Sequence, residues 1–131
     1  MALNRALRLR KSSDFQRVRQ QGQSTVSRLL ILAWTPNNVT SVRIGFVISK
    51  RISKSAVQRN YIKRLLGEAI QPALADLPQN YDIVLSARVQ VIGVDLFTLR
   101  RDITMLLRRA GLLPTLSEKE KAVKDARRSQ P

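Results

Sequence analysis

The chain has no cysteine and no histidine. That excludes disulfides, thiol nucleophiles, zinc sites built on Cys and His, and any imidazole general base. Acid is scarce: nine Asp and Glu stand against 24 Lys and Arg in 131 residues, for a net charge of +15. Long apolar runs are missing too. The longest, "LLILAW" from Leu29 to Trp34, is strand length, well short of the roughly 18 residues of a membrane span. The opening "MALNRALRLRKSSDF" scatters cations without an uninterrupted apolar core, so it does not read as a secretory signal. These absences point to a soluble protein, cytoplasmic or on the nucleoid side. No membrane partner and no obligate protein partner is evident.

What the chain does have is clustered cation. No acid occurs from Phe15 to Gly67. That window holds Arg17, Arg19, Arg28, Arg43, Lys50, Arg51, Lys54, Arg59, Lys63 and Arg64. Self-repulsion on this scale disfavours a compact state unless a polyanion neutralises it, and nucleic acid is the expected partner.

The hydrophobic fraction, 44%, is enough for one folded domain. "SSDFQRVRQQG" reads as a short helix, with Ser12 or Ser13 able to cap it and Gly22 able to stop it. "RLLILAWTP" and "VRIGFVIS" read as strands joined by the turn-forming "PNNVTS", and fit a hairpin. In the second strand Val42, Ile44, Phe46 and Ile48 alternate with more polar or smaller residues. A helix follows from about Ser55 to Gln71, stopped by Pro72; then a strand, "YDIVLSAR"; then a helix from Asp95, a plausible N-cap, to Gly111. The order is α-β-β-α-β-α, with room for one further short strand: an α+β class, a compact two-layer sandwich of helices on a small sheet. Residues 1–113 are expected to form a single RNA-binding domain. Residues 114–131 form a basic tail with too few apolar residues to bury, in which Ser117 and Glu120 make a capping-box pattern.

On the second helix Ile62, Leu65, Leu66, Ala69 and Ile70 form one apolar stripe, opposite Asn60, Lys63, Arg64, Gly67 and Gln71. Solvated helix faces usually mix charge signs at i, i+4 spacing; this one does so only at Arg64 and Glu68. Lys54 and Arg59 sit at the helix N-terminus, where cations oppose the macrodipole, preceded by Lys50 and Arg51 in the loop. A local penalty kept in place is expected of a binding site more than of a stabilised surface. The cations can span neighbouring phosphates, and Asn60 can donate to and accept from a base edge or a 2′-OH.

"VISKRISKSAVQRNYIKRLLGEA" resembles the signature of the protein subunit of bacterial ribonuclease P: a strand, a Lys-Lys/Arg loop, then A-V-x-R-N-x-x-K-R on a helix. The likeness extends to "RLRKSSDFQRVRQQGQS", "VRIGFVIS" and "YDIVLSAR", about Leu7 to Leu113. It implies a fold like the second domain of a small-subunit ribosomal protein, with a left-handed β-α-β crossover at the signature helix, against the usual right-handed rule. It implies a ribonucleoprotein endonuclease that removes the 5′ leader of precursor tRNA. The catalyst there is the ribonuclease P RNA, with magnesium bound mainly by that RNA, and this chain holds no catalytic residue. By position, Lys50, Arg51, Lys54, Arg59, Asn60, Lys63 and Arg64 would bind the catalytic RNA. Phe15, with Arg17, Arg19, Arg28 and Arg43, would line the route of the single-stranded leader.

Three departures stand out. Tyr61 occupies the third place of the usual Arg-Asn-Arg triplet, and Gly67 a place where a further Arg is common. Arg19 and Ala33 stand where cleft aromatics often occur. Tyr61 can stack on a base or simply pack; Phe15 can be a stacking platform or a core side chain; Trp34 can face the cleft or the core. Two other function classes stand as alternatives. A stand-alone nuclease would need clustered carboxylates for metals, and Asp76, Asp82, Asp95 and Asp102 are the available ones. A non-enzymatic RNA-binding module, ribosomal or chaperone-like, predicts the same basic surface and is separated only by the ordered signature.

Overall fold

A computed structural model describes residues 7–114. The expected tail and its capping box lie outside the described residues. The elements are α1 (Ser12–Gln21), β1 (Gln23–Val26), β2 (Leu30–Pro36), β3 (Arg43–Val47), α2 (Ala56–Ile70), β4 (Tyr81–Ala87) and α3 (Leu96–Arg109). Short 3₁₀ turns at Gln71–Asp76 and Val89–Val91 flank β4. α2 thus stops just before Pro72, as expected, and Pro72 lies at the start of the 3₁₀ turn that follows. A serine does not cap α1: the N-cap position is Lys11, without a side-chain bond. Ser55 and Asp95 do cap α2 and α3, accepting from the Gln58 and Thr98 amides.

The sheet order is β1-β2-β4-β3. The expected hairpin of the second and third strands does not form. β2 pairs antiparallel with β1 and β4, while β3 pairs parallel with β4, so α2 is the crossover of a β-α-β unit. The reason is burial. Asp82, Ile83, Val84 and Leu85 of β4 are all 0% exposed, so this strand needs neighbours on both sides and inserts between the other two. The extra strand β1 is the four-residue "QSTV", and its turn into β2 is held by the Ser27 hydroxyl, which accepts from the Leu29 and Leu30 amides.

Alternation in the strands divides the core. Leu30, Leu32, Ile44, Ile83 and Leu85 face α2 and α3, where they meet Ile62, Leu66, Ile70, Leu99, Ile103 and Leu106. Phe46 and Trp34 pack against this larger cluster, which settles Trp34 on the core side. Ala33 and Val84 face the other way and form a small cluster with Leu9 and Val18, closed by Phe15 and Val47. So α1 covers one face of the sheet, and the two longer helices cover the other.

Gly45 decides how α1 sits. A Cβ there would lie 2.4 Å from two ring atoms of Phe15 and 3.2 Å from the Leu9 Cβ. The Phe15 ring therefore rests on the bare backbone of β3. Gly45→Ala is expected to destabilise the fold by about 1–3 kcal/mol through overpacking, and to push Phe15 off the sheet. Denaturant unfolding, read beside Phe15→Leu as a control, checks this.

Candidate nucleic-acid interface

The turn-forming loop before α2 leaves Lys50, Arg51 and Lys54 exposed. Arg59 is half-buried, and its guanidinium donates to the Ser53 carbonyl at 2.9 Å, so it also braces that loop. Asn60, Lys63 and Arg64 are exposed on α2. Gly67, expected among them on the outer side, is buried instead: it has no side chain to reach solvent.

These helix residues form one wall of a cavity of about 510 Å³. Asn60, Lys63, Arg64 and Gly67 of α2 face Ile44, Gly45 and Phe46 of β3, with Phe15 of α1 beside them. Arg8, Leu9 and Arg10 complete it. That segment runs along β3, where the Leu9 amide donates to the Ile44 carbonyl at 2.9 Å. The sequence reading separated Phe15 from the signature helix as parts of two surfaces; here both line one cavity. Arg8 and Arg10 were missed because no periodic pattern marks their segment.

Such a cavity suits single-stranded nucleic acid. Cations stand on its rim, an aromatic edge and apolar strand residues lie in its wall, and Asn60 offers both a donor and an acceptor.

The other arginines are placed differently. Arg17 and Arg43 both bind Asp82, which is wholly buried. Arg43 donates through Nε and an Nη to the two carboxylate oxygens at 2.8 and 2.9 Å. Arg17 donates to Asp82 as well and to the Pro36 carbonyl at 3.0 Å, and the Asn37 amide donates to Asp82 at 2.8 Å. Asp14 adds a looser contact to Arg43 at 3.7 Å. The hydrogen bond to Asp82, with the charges of Asp82 and Asp14, raises the already high Arg43 pKa despite partial burial, so this guanidinium stays ionised. This network ties α1 to the sheet. Arg19 is exposed on α1, and Arg28 is exposed in the turn between β1 and β2, at the end of the sheet away from Asp82. Neither lines the cavity.

The carboxylates weighed for metal chemistry are spread out. Asp82 is held by arginines, Asp95 caps α3, and Asp102 accepts from the Ser27 hydroxyl at 2.6 Å. Among the described residues no three acidic side chains are grouped so that they could hold a metal ion. No helix there is long and apolar enough to cross a membrane.

Comparison with known proteins agrees with the motif. The ribonuclease P family model matches residues 3–111. The ribonuclease P protein component of Chloroflexus aurantiacus is 43% identical over 113 residues, covering 86% of this chain and 83% of that one. That of Caldanaerobacter subterraneus is 36% identical over 87% of this chain and 95% of its own. Among solved structures, the Staphylococcus aureus RNase P protein superposes with a TM-score of 0.75 at 26% identity, over 83% of this chain and 99% of that one. The Thermotoga maritima RNase P protein gives 0.70 at 27% identity, over 78% and 96%. Signature, strand order and matches across most of the length converge: the chain belongs to the ribonuclease P protein family.

Proposed function

We propose that this chain is the protein subunit of a cytoplasmic ribonuclease P ribonucleoprotein. It binds the catalytic RNA through Lys50, Arg51, Lys54, Arg59, Asn60, Lys63 and Arg64. Through the cavity beside Phe15 it holds the 5′ leader of precursor tRNA, assisting endonucleolytic release of that leader. Phosphodiester hydrolysis is carried by the RNA and its magnesium ions; the chain contributes binding and orientation. The observation that carries this reading is the shared cavity, where α2 cations and the Phe15 side chain meet at the edge of the sheet beside β3. Arg8 and Arg10 join the leader contacts, and Arg17 and Arg43 act by holding α1 in place.

The test compares holoenzyme affinity for precursor tRNA with a leader against tRNA without one. The protein is expected to favour the leader-bearing form, and Phe15→Ala to reduce that preference by about 5- to 100-fold, the range of one lost stacking contact. Equal affinity for both forms would remove the leader role. Loss of folding in Phe15→Ala with the preference intact in Phe15→Leu would make Phe15 a core residue only.

A further inference from the structure

The outward ridge of α2 separates two hollows. One is the cationic cavity above. The other, about 260 Å³, opens on the opposite flank, between α2 and the loop that enters α3. Gln58, Tyr61 and Leu65 line it from α2; Ile92, Val94 and Asp95 line it from the loop. Gly93, at φ +81°, turns the loop at the rim, in a conformation that favours glycine.

Tyr61 is 60% exposed and Ile92 43%, large apolar surfaces that the fold itself leaves uncovered. The Tyr61 hydroxyl makes no hydrogen bond within the described residues. Tyr61 precedes Arg64 by three residues, about 60° away around the helix, so ring and guanidinium are neighbours on the ridge. A polyanion that crosses the ridge from Lys63 to Arg64 would thus come within reach of the ring.

We infer that Tyr61 and the hollow beside it receive one unstacked nucleobase of the RNA whose phosphates lie on Lys63 and Arg64. The inference rests on the RNA-binding reading above and adds a base-recognition subsite to it. The hollow is apolar along Tyr61, Leu65, Ile92 and Val94, as a π-face requires, and polar only at Gln58 and Asp95. Asp95 accepts the Thr98 amide at 2.8 Å, and that hydrogen bonding holds its carboxyl below the ordinary range. It is therefore an acceptor at neutral pH, and a base carrying an exocyclic amino group fits it better than the O4 edge of uracil.

The experiment uses the full chain with a bacterial ribonuclease P RNA. Affinity is measured over a salt series, and the Watson–Crick edges of the RNA are probed chemically in each complex. Tyr61 is exposed, so Tyr61→Leu and Tyr61→Arg should both fold, which circular dichroism verifies. Tyr61→Leu should weaken binding about 5- to 100-fold with an unchanged salt slope. It should also uncover one base that the wild type protects. Tyr61→Arg should steepen the slope by about 0.9, one added phosphate contact, and leave the same base uncovered. Tyr61→Leu within twofold of wild type, with an identical footprint, overturns the subsite. Wild-type binding that is absent or insensitive to salt overturns the RNA-binding reading beneath it.

Discussion

Arg43→Ala should lower the midpoint of thermal unfolding by about 10 °C, the equivalent of about 3 kcal/mol for a buried ion pair stripped of one partner. Asp82 is 0% exposed and cannot turn to solvent, so its charge depends on the guanidiniums around it. Arg43 supplies two of its hydrogen bonds, and the rest come from Arg17 and Asn37. Both arginine side chains keep a quarter or more of their surface in water, which places the expected loss at the lower end of the buried-pair range. The double variant Arg43→Ala/Asp82→Ala should be less destabilised than the two single changes summed, with about 1–3 kcal/mol of coupling. Calorimetry on the four proteins measures it. A midpoint shift under 2 °C, together with weaker RNA binding, would return Arg43 to direct contact with RNA, as its charge alone suggested.

Lys63→Gln/Arg64→Gln should act in the opposite way, on binding and not on folding. Both side chains are exposed, so stability should change by no more than about 0.5 kcal/mol. Each lost phosphate contact removes about 0.9 from the log–log salt slope and, near 0.15 M salt, roughly fivefold in affinity. The double variant should bind ribonuclease P RNA about 30-fold more weakly, with a slope shallower by about two. Filter binding from 50 to 500 mM salt reads both quantities. An unchanged slope would mean that these two cations do not meet phosphate.

The helices were legible in the sequence because their signals are local. The apolar stripe of α2, its start near Ser55, the cap Asp95, and the Gly111 turn at φ +80° all lie within a few residues of what they control. Strand neighbours were not legible. Alternation states which way a side chain points and is silent on which strand lies beside it, so the adjacent strands β2 and β3 suggested a hairpin that β4 in fact separates. The further short strand, β1, could be allowed for but not placed, because "QSTV" is short and largely polar. Site residues divide the same way. The signature cations were readable from charge and spacing on one helix. Whether Arg17 and Arg43 faced RNA or a buried carboxylate depended on Asp82, 65 and 39 residues away. The one usable hint was an acid inside the apolar strand "YDIVLSA", since a buried charge there needs a cation brought by the fold. Gly45 reads in sequence as a weak strand residue; only the structure shows it as the seat of Phe15.

On the proposed function, this chain serves a catalytic RNA and does not cut on its own. That role is tested most directly by precursor-tRNA cleavage at low magnesium with a bacterial ribonuclease P RNA, with and without the protein, beside the protein alone. A large gain in cleavage is expected when the protein joins the RNA, with correct 5′ ends and no product from the protein by itself. Cleavage that follows the protein through purification without RNA would contradict that role, as would no gain with the RNA of its own organism.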